Sequence, residues 1–235
     1  MKTVTSHCLL PICCFPVGAY TSDMPKNPAA RRPASGTYES GRRSRDRILG
    51  VALREFAEFG YRGAAMTRIA ERAEISETGL RHHFPSKDEL LIEILRSRDD
   101  QSNRRWEEAG SPVGVADLEY NLRLMELNSA APDLARLFMV MVGESVTIDH
   151  PAAEWARERY RTLCNTMANS VRGGIDAGEF RRDTDPVRIG RQIVAVMDGL
   201  QTQWLLDPDI DIAAEFRGYI DGLIQLLRPP IAPES

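Results

Sequence analysis

The residues of this chain best equipped for chemistry crowd between Glu77 and Lys87: Glu77, Thr78, Arg81, His82, His83 and Lys87. Together they offer a carboxylate, a hydroxyl, two imidazoles and two permanent cations. Metal chelation is the first use to consider. Adjacent helical residues diverge by about 100°, whereas a chelating helix presents ligands at i and i+4, so His82 and His83 cannot easily grip one ion. The four cysteines are too few for a disulfide framework, and Cys8, Cys13 and Cys14 have only His7 nearby. No G-x-S-x-G or G-x-x-x-x-G-K-[ST] run occurs, and Gly173-Gly174 sits in a helical pattern with no strand before it. Enzyme, metal-site and cofactor readings all lose support. What the cluster can do is meet nucleic acid. A Glu accepts from a cytosine N4 amine, a Thr meets a thymine methyl, and Arg or Lys takes phosphate.

The flanking sequence predicts elements that could present such a cluster. Met66, Ile69, Ala70 and Ala73 recur at i, i+3, i+4, i+7, the buried face of a two-turn helix. Glu74 and Ile75 form the turn, Ser76 is a good N-cap for the next helix, and Pro85 stops that helix. Leu80 and Phe84 point back at i, i+4. Gly79 inside a helix costs about 1 kcal/mol against Ala, which a close approach to another surface, DNA among the candidates, would justify. Two such helices hold the second at an angle suited to a major groove. Ser86-Lys87-Asp88-Glu89 then reads as a capping box for a long helix through Leu90, Leu91, Ile94 and Leu95 to about Glu108. Upstream, a first helix is expected from near Ser44, with Asp46 in its first turn. Its buried stripe is Ile48, Ala52, Phe56 and Phe59, and Gly60 ends it.

Phe56, Gly60-Tyr61, Ile69-Ala70, Ala73, Ile75-Ser76, Leu80 and His83-Phe84-Pro85-Ser86-Lys87 stand in the order and spacing of one family. The stretch resembles the helix-turn-helix of TetR-type transcriptional regulators. Three positions depart from that pattern. Ala64 and Ala65 stand where the family often has a hydroxyl on phosphate, Glu74 where the turn is often Gly, and Arg81 where a Tyr is common. Arg81 could replace that Tyr with a charge-assisted phosphate contact. On this reading Arg45, Thr67, Arg81 and Lys87 contact the DNA backbone, and Glu77, Thr78, Gly79 and His82 read bases. The expected fold is all-α, with a three-helix DNA-binding head and a C-terminal helical ligand-binding and dimerisation bundle.

Charge is distributed accordingly. The 235 residues carry a net −4, but residues 1–88 carry +5 and the remainder −9. Such asymmetry suits a nucleic-acid-facing half. The first 40 residues read as a disordered or misassigned tail, and from Met24 to Tyr38 they are rich in Pro, Ala, Arg, Lys and Ser. Pro11 and Pro16 break its apolar patch, against a signal peptide. Arg31-Arg32 and Arg42-Arg43-Ser44-Arg45 could form a basic arm or a solvated linker. The expected division is 1–40 tail, 41–87 DNA-binding domain, 88–229 ligand-binding and dimerisation domain, 230–235 tail. No run approaches the roughly 18–20 apolar residues of a membrane span, and a reducing cytoplasm fits the cysteine usage.

From Ser111 onward the pattern is again helical. Leu118, Leu122 and Met125 share one face. Asp133 is a candidate cap for a helix through Leu134, Leu137, Phe138, Met141 and Val142. Pro151 opens another helix, with Trp155, Arg159, Leu163 and Met167 in line, and Gly178 closes it. Asp185-Pro186 starts the next helix and Asp207-Pro208 breaks it; the last runs from about Asp211 to Leu227. In the family the last two long helices pair with a twin, which implies a homodimer through Val196, Gly199, Leu200, Trp204, Phe216, Ile220 and Leu223. Ordinary intramolecular core is the other reading of that face. Met125, Phe138, Met141, Trp155, Met167 and Met197 could line a pocket for an unknown small-molecule effector, Met being soft and adaptable; a Met-filled core is the plainer alternative. His150 is expected at a helix end on the surface. The function expected is a ligand-released repressor binding a palindromic site as a homodimer. A sequence-tolerant architectural DNA protein is the alternative, and the acidic C-terminal half weighs against it.

Overall fold

The computed structural model describes residues 35–230, and those residues are all helical and turn. In order they form α1 (Ser35–Gly63), α2 (Met66–Arg72), α3 (Glu77–His83), α4 (Lys87–Glu108), α5 (Val115–Asn128), α6 (Pro132–Ser145), α7 (Ala153–Asp176), α8 (Pro186–Leu206) and α9 (Ile212–Leu227). They gather into two compact units. One holds residues 35–98 and 136–157, the other residues 99–135 and 158–230.

In the first unit α1 begins well before the expected Ser44. No proline separates Ser35 from Ser44, and the helix runs through Gly36 and Gly41, so Arg42-Arg43 stand on a helix. Arg31-Arg32 lie outside the described residues. Asp46 is consequently mid-helix, where burial raises its pKa against the pull of Arg42 and Arg45. Gly60, at φ 67° and ψ 179°, interrupts α1 where the sequence pattern placed its end. Ile48, Ala52 and Phe56 are fully buried. Phe59 departs from the expected stripe: it is 39% exposed, and the Arg68 guanidinium lies over its ring at 4.5 Å. In α2, Met66, Ile69, Ala70 and Ala73 are buried as the spacing predicts.

The second unit is built on α5, α8 and α9, with α5 and α8 both packed against α9. Leu118, Leu122 and Met125 of α5 join Ile193 and Trp204 of α8 and Phe216 and Ile220 of α9 in one core. The Asp185 carboxylate caps α8 by accepting from Val187 N–H at 3.0 Å and Arg188 N–H at 3.2 Å. Asp211 caps α9 through Ala214 N–H at 3.0 Å. Two boundaries shift from expectation. Pro132, whose fixed φ suits a first turn, opens α6 and leaves Asp133 inside that turn rather than capping it. Pro151 lies in a turn two positions before α7. Gly190 permits the closest helix approach: a Cβ there would stand 2.7 Å from the Ala168 backbone nitrogen. No described helix is long and apolar enough to cross a membrane.

Candidate nucleic-acid interface

The short α3 owes its position to its ends and its back. Ser76 Oγ accepts from Gly79 N–H at 3.0 Å, the cap the sequence predicts. Leu80 is fully buried and Phe84 nearly so. That leaves Thr78, Arg81 and His82 exposed, with Glu77 and Gly79 partly so. Gly79 has a local reason for its type. A Cβ there would lie 3.2 Å from Ser76 Oγ, crowding the cap. Glu74 takes the left-handed turn at φ 54°, in the place of the family's Gly.

α2 is tied to α1 by a carboxylate that the spacing of residues does not reveal. Glu55 of α1 is completely buried. Its Oε1 accepts from Ala65 N–H at 3.1 Å, an orphan donor at the start of α2, and from Arg68 Nε at 2.6 Å. Its other oxygen accepts from Arg72 Nη1 at 3.1 Å. One side chain thus caps α2 and ties two of its arginines to α1. Thr67, beside them, is exposed.

Two of the expected phosphate contacts are committed elsewhere. Lys87 donates to the carbonyls of Tyr61 at 2.8 Å and Ala64 at 3.1 Å, and its ammonium lies 4.3 Å from the Tyr61 ring centroid. It closes the C-terminal end of α1, where carbonyls lack intrahelical donors, so the placement of its charge on phosphate is corrected to an internal role. Arg45 pairs with Glu93 at 2.6 Å and stacks 4.4 Å over Phe84, bracing α3 against α4. Arg81 remains on the exposed face, paired with Glu77 at 2.9 Å. His82 and His83 lie edge to face with centroids 6.0 Å apart. Burial, helped by His82 and Arg45, lowers the His83 pKa. The Ser86 hydroxyl accepts from Glu89 N–H at 3.1 Å and lies 3.4 Å from its carboxylate.

A second cluster in the same unit ties α6 to the end of α1. Glu144 accepts from Tyr61 N–H at 2.8 Å, and its carboxylate fills the space a Cβ on Gly60 would need. The Tyr61 hydroxyl donates to Asp88; burial, and then that bond, push its pKa up to about 12. His150 is 8% exposed rather than on the surface. Its Nδ1 accepts from Ala152 N–H at 3.2 Å, its Nε2 lies 3.3 Å from Glu144, and its ring meets Tyr61 edge-on at 5.2 Å.

The six residues assigned to a pocket divide by unit. Met141 is buried, and Phe138 and Trp155 stack at 5.9 Å, in the unit that carries α3. Met125, Met167 and the half-buried Met197 belong to the core of the other unit. The expected dimer face also needs correction. Trp204, Phe216, Ile220 and Leu223 are buried inside their own chain, and Val196 and Leu200 pack on the same core. The first four have little apolar surface left for a partner, while Val196 and Leu200 stay partly exposed. Gly199 differs from them, since a Cβ there would meet nothing within 4 Å.

An exposed polar helix packed on α2, itself tied to α1 by a buried carboxylate, is the arrangement of a helix-turn-helix. The family profile for bacterial regulatory proteins of the tetR family matches residues 48–94, and that for the C-terminal domain of BetI-type transcriptional repressors matches residues 122–228. RutR, an HTH-type regulator of Escherichia coli (strain K12), is 35% identical over 138 residues; the match covers 57% of this chain and 62% of RutR. AcrR of Shigella flexneri is 24% identical over 215 residues, covering 82% and 93%. The crystal structure of a Saccharomonospora viridis regulator in complex with choline superposes with a TM-score of 0.65 at 26% identity, covering 77% of this chain and 95% of that one. The chain belongs to the TetR family of transcriptional regulators.

Proposed function

We propose that this chain is a sequence-specific repressor that binds a palindromic operator as a homodimer and leaves it when a small molecule binds. The observation that carries the reading is the outward face of α3, where Thr78, Arg81 and His82 are exposed while Leu80 and Phe84 anchor the helix from behind. Base readout falls to Glu77, Thr78, Gly79 and His82, and backbone contact to Thr67 and Arg81. The domain division follows: residues 41–87 on DNA, 88–229 for effector and dimer.

The dimer face we propose is a revised one. On α9, Ala214, Gly218 and Gly222 recur every fourth residue and are exposed, ending at Leu226, which is 64% exposed. On α8, exposed Ala195 and partly exposed Gly199 lead to Leu206, 81% exposed. Small residues let helices of two copies approach, and the terminal leucines give such a seam apolar ends. Two α3 helices about 34–36 Å apart would then meet successive major grooves. The choline held by the Saccharomonospora regulator supports an effector in this chain too.

The test is a DNase footprint of the purified protein on DNA flanking its own gene, with excess competitor. A protected palindrome is the expected result. Protection that vanishes into the competitor would establish sequence-tolerant binding and overturn the reading.

A further inference from the structure

The interior of the unit built on α5, α8 and α9 holds a group of polar side chains that its own fold does not satisfy. Asp117, in the first turn of α5, is fully buried. Its Oδ1 accepts from the indole Nε1 of Trp106 at 3.1 Å; its Oδ2 has no hydrogen-bond partner. The Tyr120 hydroxyl, one turn along α5, and the Ser170 hydroxyl of α7 are likewise buried and unpartnered. Ser170 stands near the Asp117 carboxyl, outside hydrogen-bond geometry. Asn121 closes the group: its amide donates to the Asp117 carbonyl at 2.8 Å and lies 3.7 Å from Met167 Sδ.

Folded proteins leave few buried polar atoms unsatisfied, and each asks for a reason. An open carboxylate oxygen and two hydroxyls buried in one unit ask for a common one. Helix α5 explains part of Asp117, since a helix N-terminus favours negative charge. It does not explain Oδ2 or the two hydroxyls. Burial raises the Asp117 pKa, with the nearby Ser170 hydroxyl and the Trp106 indole pulling it back down. Neither of those two groups carries a charge. A buried carboxylate is tolerated when paired with a cation that also donates a hydrogen bond. Around it stand an indole, a phenol and a thioether, surfaces that suit an aromatic or apolar body carrying such a cation.

We infer that Asp117, Trp106, Tyr120, Asn121 and Ser170 form a binding site for a small organic ammonium ion. Its N–H meets Asp117 Oδ2, its apolar body lies along Trp106 and Met167, and the Tyr120 and Ser170 hydroxyls complete its polar end. The regulatory sense of the site rests on the ligand-released reading above, because binding here would favour one state of the unit over another.

The test is isothermal titration of the full-length protein with three probes on one scaffold: 2-phenylethylamine, 2-phenylethanol and 3-phenylpropionate. The amine is expected to bind at least tenfold more tightly than the alcohol, with the anion weakest. Asp117→Asn removes the charge and keeps an acceptor for Trp106; it is expected to abolish the preference for the amine. Tyr120→Phe, which leaves the ring in place, is expected to weaken the amine severalfold. Equal binding of all three probes, binding of none, or an amine preference that survives Asp117→Asn would overturn the assignment. Footprinting in the presence of the amine is read separately. Loss of protection supports release by ligand, while intact protection beside Asp117-dependent binding keeps the site and removes the release.

Discussion

Glu55 and Asp117 are both carboxylates with no exposed surface, and they have opposite surroundings. Glu55, under the helix-turn-helix, is answered on both oxygens by Ala65 N–H, Arg68 and Arg72. Asp117, inside the other unit, is answered on one oxygen by a neutral indole and left open on the second. A charge closed on every side serves to lock helices at a fixed angle, which a DNA-reading helix requires. A charge left open is costly to keep and retains capacity for a visitor. The two units thus put the same chemical group to different tasks, rigidity in one and receptivity in the other.

The sharpest way to break that contrast is to remove the closed charge. Glu55→Ala deletes charge-assisted hydrogen bonds from two arginines and one helix-start amide. It is expected to destabilise the protein by roughly 2–3 kcal/mol, seen as a lower urea midpoint with an unchanged slope. A loss under about 0.5 kcal/mol would show that the arginines find water as readily as Glu55. The next largest effect is expected at Gly60. Alanine there must adopt φ 67° and meets the Glu144 carboxylate, so Gly60→Ala should cost about 1–2 kcal/mol from conformation alone, and more from the collision. Adding Glu144→Ala should recover the collision part only. Full recovery in that double variant would mean the backbone at Gly60 is not strained.

What the sequence can and cannot disclose follows the same division between local and distant chemistry. Asp185 before Pro186, Ser76 before α3 and Asp211 before α9 are legible because a cap acts on amides two or three positions away. The links from Glu55 to Arg68 and Arg72 span 13 and 17 residues across the break at Gly60, and no periodicity marks them. Lys87 reads as a phosphate contact because its position is right; its engagement with Tyr61 and Ala64 depends on how α1 ends against α4. The dimer residues mislead for a physical reason. Hydrophobicity marks Trp204, Phe216 and Ile220 as buried without saying in which chain, and the seam proposed in their place is made of Ala and Gly, which hydrophobicity scarcely registers. One signal of the open carboxylate does lie in the sequence: Asp117 and Asn121, at i and i+4, flank the apolar stripe of Leu118, Leu122 and Met125, an unusual place for two polar side chains.

The open carboxylate leaves a pH signature of known sign. Burial raises the folded pKa of Asp117 above its ordinary 3.8. Its favourable contribution is therefore complete below that value and is lost as pH rises through the folded pKa. Asp117→Asn has no such loss. The Tm difference between variant and parent should move in the variant's favour from about pH 4 to pH 7. A difference that is flat or shrinks with pH would place Asp117 among the satisfied carboxylates and erase the contrast with Glu55.

The smallest effect on the fold, and the most telling for DNA, is expected at Arg81. Its pair with Glu77 is solvent-exposed, with side chains 52% and 41% accessible, and such pairs contribute about 0.3–0.5 kcal/mol within a helix. Arg81→Ala should therefore leave Tm nearly unchanged. On operator and random DNA alike it should weaken binding and reduce the salt slope by about 1, as the loss of one phosphate contact does. Glu77→Ala frees Arg81 from its partner while removing a reader of bases. It should relax discrimination at one operator position without lowering affinity for random DNA. If Arg81→Ala instead changes specificity and spares the salt slope, Arg81 reads a base, and the division of labour along α3 is the reverse of the one drawn from its exposed face.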